Sequence, residues 1–232
     1  MINKLGRLIR SYWFALLVLC LFALSLSLYR IFSTGSYRYW FLAWNLLLAT
    51  LPLLFAWALY KNTPKGLNWS WVNLGLCILW LVFLPNAFYL VTDFIHIHQT
   101  TEISMIFDVV LIATYSLAGF VLGFNSLFLV HKRVLQRFGY WAHWLVVVVL
   151  LLCGFAIYLG RYLRWNSWDI IINPFGLMFD VTTRISNPQD YTFTFSATLL
   201  FFALLLVVYF VVWRAIVCVE KKSSKRGAKK VK

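Results

Sequence analysis

Long apolar stretches alternate with short polar segments along the chain. Each stretch has about the 20 residues that an α-helix needs to cross the hydrocarbon core of a bilayer. Six such stretches occupy residues 11–29, 39–60, 69–91, 103–130, 140–160 and 192–217. Their ends are rich in Trp and Tyr, which anchor helices at membrane interfaces. The pattern therefore predicts an all-α fold, a polytopic transmembrane helix bundle with about six spans.

Composition supports this prediction. Of the 232 residues, 62% are hydrophobic and only 12% are charged, whereas a soluble domain is roughly 45–50% apolar and about 25% charged. An ordinary water-soluble domain is therefore excluded. We expect a single transmembrane domain over residues 1–220 and a basic tail over residues 221–232.

The chain has a net charge of +14, and the distribution of its positive residues predicts an orientation in the membrane. Lys and Arg lie between the apolar stretches and in the tail, which favours membrane lipids as partners and gives no reason to expect nucleic acid. With the N-terminus inside, sixteen of these cations fall on the cytoplasmic side and five on the other side. Cytoplasmic segments carry the excess of positive charge, so both termini of this multi-pass protein are predicted to lie on the cytoplasmic side of the cell membrane.

The acidic residues gather on the opposite face. Six of the seven lie at or near the predicted outer side, namely Asp93, Glu102, Asp108, Asp169, Asp180 and Asp190. Because the spans and the orientation were assigned without them, this grouping independently indicates a functional outer face.

The end of the third span carries a polar stripe. Pro85 should kink the helix and release a carbonyl about one turn earlier. If the helix continues, one face then presents four polar residues, Asn86, Tyr89, Asp93 and His96. Polar groups at membrane depth are costly unless they face the bundle or a wet cavity. The alternatives are interhelical hydrogen bonding and a functional site.

Two other observations concern this level of the bundle. Asp108 begins the fourth span near the depth of Asn86, and Asn45 reaches a similar level. Asp93 and His96 with His98 could ligate zinc, since a carboxylate and two imidazoles form open zinc sites. Their spacing matches no established metal motif, so we assign no metal site and leave the cofactor open.

The fifth span runs into a string of polar and aromatic residues. Arg161 and Arg164 lie one turn apart, as a clamp for phosphate or carboxylate would require, although Arg also anchors helices at interfaces. Asn166 and Asp169 have the spacing of a helix N-cap and its N3 residue. The following stretch, up to residue 190, predicts a short interfacial helix or, alternatively, a re-entrant segment.

These strings resemble a known family pattern. The residues that carry the resemblance are Phe83-Leu84-Pro85-Asn86, Tyr89, Thr92, Asp93, His96, Asp108, Tyr158-Leu159-Gly160-Arg161, Arg164, Asn166, Ser167, Trp168 and Asp169. The pattern is that of an uncharacterised family of bacterial membrane proteins, the domain of unknown function 1361. Where that pattern commonly has a second proline, this chain has Phe88. The resemblance implies a multi-pass membrane protein with a polar face and no particular reaction.

The residues themselves suggest two hypotheses. In the first, an extracytoplasmic site handles an envelope lipid or lipid-linked glycan with an anionic headgroup. The proposed catalytic residues are Asp93, His96 and Asp108, and the proposed substrate-binding residues are Asn86, Tyr89, Arg161, Arg164, Asn166 and Asp169. In the second, the protein is a non-enzymatic transporter, flippase component or assembly partner. Enzymatic activity is therefore left undecided, but either Asp93 or Asp108 is expected to pair with an arginine of the later string.

Overall fold

The computed structural model describes residues 2–64, 66–67, 70–97 and 105–229, and the side chains of these residues except within 2–12 and 220–229. The described chain is helical and contains no strand. The α-helices are α1 (Ile2–Thr34), α2 (Trp40–Asn62), α3 (Trp71–Tyr89), α4 (Met105–Phe138), α5 (Trp141–Tyr162), α6 (Asp169–Ile172), α7 (Pro174–Ser186) and α8 (Thr192–Lys229). A 3-10 helix over Leu90–His96 continues α3.

Among the described residues, six helices are long and apolar enough to cross a membrane, which confirms the fold predicted from the apolar stretches. The third candidate span runs to His96, beyond the predicted residue 91, because the 3-10 helix extends α3. The fourth extends to Phe138, since α4 continues through the basic segment after its apolar stretch. The α8 helix likewise continues through the described part of the basic tail, up to Lys229.

The bundle is built around α3 and α4. The α2 helix packs on both, α5 also contacts both, α1 lies on α4, and α8 lies mainly on α5. Gly119 and Gly123 of α4 form the close contact with α3 that their spacing favours. A Cβ atom at Gly119 would collide with the Ala87 carbonyl oxygen, and one at Gly123 would lie 2.7 Å from the Phe88 ring.

Side chains bind backbone carbonyls just before Pro85 in α3. The proline cannot donate a backbone hydrogen bond, and two side chains bind carbonyls in the preceding turn. The Asn86 amide nitrogen donates to the Phe83 carbonyl at 3.1 Å, and the Ser167 hydroxyl donates to the Val82 carbonyl at 3.2 Å. The bond from Ser167 attaches the distant segment that follows α5 to α3.

Residues after α5 turn back along α3. Arg164 has a φ of 61°, a left-handed conformation that non-glycine residues adopt at a cost of roughly 1 kcal/mol. The chain reverses there, and Ser167 then reaches Val82, about two helical turns before Tyr89 along α3. The short helices α6 and α7 follow. Both helices present large exposed apolar side chains, including Ile171, Ile172, Phe175, Met178 and Phe179.

Candidate functional site: a pocket at one end of the bundle

A cavity of about 310 Å³ opens at the end of the bundle where α2 begins and α3 and α5 end. Its walls come from α2, α3 with its 3-10 extension, α5 and the segment that follows α5. The polar residues among those that line it are Asn45, Asn86, Tyr89, Asp93, His96, Arg161, Asn166 and Ser167. The predicted polar stripe of the third span thus faces one cavity. It does so because the 3-10 helix repeats every three residues and keeps His96 in line with Asp93.

Arg161 of α5 belongs to the arginine string, the polar and aromatic segment at the end of the fifth span. It contacts the polar stripe of the third span at the polar end of this pocket. Its Nε atom donates to Thr92 Oγ1 at 2.7 Å, and its Nη2 atom forms a buried ion pair with Asp93. The guanidinium carbon lies 4.3 Å from the centre of the Tyr89 ring, within the range of a cation–π interaction. This confirms the predicted adjacency of the third-span stripe and the arginine string.

His96 accepts the third hydrogen bond of Arg161. The Arg161 Nη1 atom lies 3.0 Å from His96 Nε2. A guanidinium group can only donate hydrogen bonds, so Nε2 must be the acceptor and the neutral ring carries its proton on Nδ1. Asp93 and His96 are therefore bridged by one cation.

Tyr39, just before α2, fixes the end of the 3-10 helix. Its hydroxyl donates to the His96 carbonyl at 3.0 Å, and its ring lies 4.5 Å from the guanidinium carbon of Arg30. Burial and, to a smaller extent, the Asp108 carboxylate raise the pKa of the Tyr39 hydroxyl. The hydroxyl therefore keeps its proton for this hydrogen bond at neutral pH.

Two asparagines connect the pocket walls. The Asn86 amide nitrogen also donates to the Ser167 hydroxyl at 2.8 Å, which brings the segment after α5 against α3. The Asn45 amide nitrogen lies 3.4 Å from the second carboxylate oxygen of Asp93 and ties α2 to the same cluster. Asp93 is therefore held from two helices and is only 1% exposed.

The remaining residues of the arginine string lie at the rim. Arg164 is exposed and forms the reversal of the chain, one residue before Trp165, which lines the pocket. Asn166 lines the pocket, and its backbone amide donates to the Asp169 carboxylate at 2.6 Å. Asp169 is outside the lining and is the first residue of α6, whose N-cap is Trp168. The predicted N-cap position of Asn166 is therefore wrong by two residues, and its bond to Asp169 closes a turn just before the helix.

Asp108 is not part of this cluster. Its carboxylate is buried between α1 and α4, where it accepts from Arg30 Nε at 2.8 Å and from Arg30 Nη2 at 3.4 Å. The expectation that Asp108 would serve as a counter-charge for Arg161 or Arg164 is therefore wrong. The reason is rotational, because α4 turns this carboxylate towards α1 and away from α5.

The zinc alternative involved His98, which lies outside the described residues. In the part of the chain that the structure describes, no group of three or more His, Cys, Asp or Glu residues could hold a metal ion. Asp93 and His96, the other two residues of that alternative, both bind Arg161.

Sequence reasoning did not assign some residues of the site. It placed Asn45 at the right depth, but the contact with Asp93 depends on how α2 is rotated. Thr92 and Ser167 belong to the strings that carry the family resemblance, yet their partners, Arg161 and Asn86, are distant in sequence. Tyr39 resembles an interfacial anchor in the sequence, and only the fold shows its bond to the His96 carbonyl.

Comparison with known families adds an independent observation. The model of a family described as protein of unknown function (DUF1361) matches residues 44–210. The chain belongs to the DUF1361 family. The part that matches the DUF1361 model begins just before Asn45 and includes the pocket residues Asn86, Asp93 and Arg161, whereas Arg30 and Tyr39 lie outside it. Neither the curated proteins nor the solved structures contain a match to this chain.

Proposed function

We propose that this membrane protein binds the headgroup of an envelope lipid or of a lipid-linked glycan with an anionic group. The ligand would enter from the bilayer, and the pocket end of the bundle would be the extracytoplasmic one. The observation that carries the proposal is the polar cluster of Asp93, His96 and Arg161 in a cavity at one end of a transmembrane bundle.

The walls of the cavity fit an amphiphilic ligand. Away from the ionic cluster, the lining is apolar and includes Leu48, Val82, Pro85 and Ala156. These residues belong to α2, α3 and α5, and both α2 and α5 pack against α3. A headgroup could therefore contact the polar end while its hydrocarbon chain follows the apolar surface into the membrane, as in ligand sites between helices of other bundles.

The geometry favours binding over catalysis. Asp93 and His96 both engage Arg161, so neither is positioned as a general base with an open lone pair towards the cavity. Arg161 uses three of its five N–H donors on the 3-10 helix, so exposed Arg164 at the rim is the cation that would meet an anionic group of the ligand. Tyr89, Asn86, Asn166 and, near the rim, Asp169 would position the ligand.

A transport path would need polar groups that continue across the membrane. Asn73 and Asn125, the asparagines nearer the opposite end, are absent from the cavity lining. Asn125 is bound within its own helix, to the Val121 carbonyl. The polar stripe of the third span and the arginine string thus meet in one pocket that includes neither asparagine, which supports binding at one face over a transport path.

The proposal predicts that blocking the apolar part of the cavity displaces bound lipid. Ala156→Trp should place a bulky side chain in the apolar wall of the cavity and lower the amount of copurifying lipid several-fold. The matched control is Ala15→Trp on the exposed face of α1. Mass spectrometry of purified protein, with lipid and envelope-glycan profiling of cells with and without the protein, measures the outcome. Equal lipid content in both variants would contradict the proposal.

Orientation can be tested separately. The charge distribution predicts that Gln99 is accessible from outside and that the C-terminal tail is not. In a cysteine-free background, single cysteines at residue 99 and in the tail should react with an impermeant reagent only at residue 99 in intact cells. Labelling of the tail alone would reverse the assignment of the pocket to the outer face.

A further inference from the structure

We infer that the part of the ligand that enters the pocket is an uncharged, hydroxyl-rich unit such as a sugar or another polyol. Any phosphate of the ligand would stay at the rim, near Arg164. This inference rests on the proposed function and specifies the chemical class that the pocket selects.

The ionic groups of the pocket already neutralise each other. Arg161 and Asp93 form a buried ion pair, and the hydrogen bond from Arg161 keeps His96 neutral. A phosphate in the interior would bring an uncompensated negative charge next to Asp93, and an ammonium group would bring a positive charge next to Arg161. Burying an unpaired charge is costly, so a neutral unit fits the interior better than either ion.

Most strong donors of the pocket are engaged within the protein. The Asn86 amide uses both N–H groups, one on the Phe83 carbonyl and one on Ser167. Ser167 donates to the Val82 carbonyl, and the Trp165 indole donates to Asp180 at 2.8 Å. A phosphate, which can only accept hydrogen bonds, would find few of these donors available.

Acceptors remain accessible in the same cavity. The side-chain oxygens of Asn45 and Asn86 have no hydrogen-bond partner among the described residues, and neither is a fully buried atom. Tyr89 also lines the cavity, and its hydroxyl, which can donate and accept, has no hydrogen-bond partner in the part of the chain that the structure describes. Hydroxyl groups both donate and accept, so a ligand with several of them could satisfy all three positions.

Aromatic side chains and the cavity size agree with a small ring. Phe41, Trp44, Trp165 and Trp168 line the walls and present large apolar surfaces with a polar atom on each indole. The cavity of about 310 Å³ is at the lower end of the range of roughly 300–1,000 Å³ for ligand pockets. It therefore suits one small headgroup unit and excludes a long saccharide chain.

The test compares three lipids with the same acyl chains and different headgroups. A monoglycosyl diacylglycerol offers an uncharged sugar, phosphatidic acid offers an anionic phosphate alone, and phosphatidylethanolamine offers an ammonium group attached to a phosphate. Each lipid is titrated into the detergent-solubilised full chain, and native mass spectrometry gives the dissociation constant. We expect the sugar lipid to bind at least about fivefold more tightly than the other two, since each net hydrogen bond contributes roughly 1 kcal/mol.

Variants identify the groups responsible. Asn45→Leu and Asn86→Leu should each weaken binding of the sugar lipid about fivefold. Asn125→Leu, a matched change elsewhere in the membrane, should leave the affinity for this lipid unchanged. Thermal unfolding of each variant shows whether it is folded. A preference for phosphatidic acid that depends on Arg164, or for phosphatidylethanolamine, would overturn the inference and leave the proposed headgroup site intact. If all three lipids bind the pocket variants and Ala156→Trp as tightly as they bind the wild type, both the inference and the proposed headgroup site are overturned.

Discussion

Asp93→Asn is expected to destabilise the protein strongly and to abolish headgroup binding. The change removes the counter-charge of Arg161 at nearly constant size, while the arginine side chain stays 8% exposed. Breaking a buried ion pair by removing one partner costs about 3–5 kcal/mol, because the other charge is left uncompensated. The apparent unfolding temperature in detergent and the amount of bound lipid should both fall.

The matched control is Asp190→Asn, which makes the same chemical change at an exposed position. It should leave both measurements near the wild-type values, since isolated surface charges contribute little. An Asp93→Asn protein as stable as this control, with unchanged lipid content, would show that the ion pair has no energetic role.

A second pair of variants separates charge from geometry. Arg161→Lys keeps the positive charge but loses the planar fork that reaches Thr92, Asp93 and His96 together. It should insert normally and bind headgroup weakly.

The double variant Asp93→Asn with Arg161→Gln removes both charges and should recover part of the stability that Asp93→Asn loses, because no buried charge remains unpaired. Purely additive losses would contradict a direct interaction.

Gly119→Leu is expected to prevent correct packing of α3 against α4. Even a Cβ atom at this position would collide with the Ala87 carbonyl oxygen and lie 2.8 Å from a methyl group of Leu90. Overpacking of a core usually costs about 1–3 kcal/mol. The cost here should exceed that range, because the obstacle is a backbone carbonyl that cannot rotate away. Gly119→Ala should already lower the unfolding temperature.

Gly75→Leu is the control for this prediction. Gly75 lies in α3, and a Cβ atom there would have no neighbour within 4 Å. The control should give monodisperse protein of ordinary thermal stability, whereas Gly119→Leu should give little folded protein by size-exclusion chromatography. Similar yields and unfolding temperatures for the two variants would show that α3 and α4 do not approach each other at Gly119.

Several features of this protein follow from its sequence alone. The spans are predictable because the hydropathy of about 20 consecutive residues decides whether a helix can cross the membrane. The stripe from Asn86 to His96 is predictable because helical spacing is a local property. Spacing also predicts the approach of Gly119 to a neighbouring helix, since small residues one turn apart permit close packing.

Tertiary structure decided which of these groups meet. Asp93 and Asp108 carry the same charge and both belong to the predicted outer side, yet Asp93 pairs with Arg161 and Asp108 pairs with Arg30. The order of the helices and the rotation of each about its axis select these pairs, and neither quantity is contained in hydropathy or spacing. The return of Ser167 to Val82 is likewise non-local, because it depends on the left-handed turn at Arg164 and on carbonyls near Pro85 in another helix.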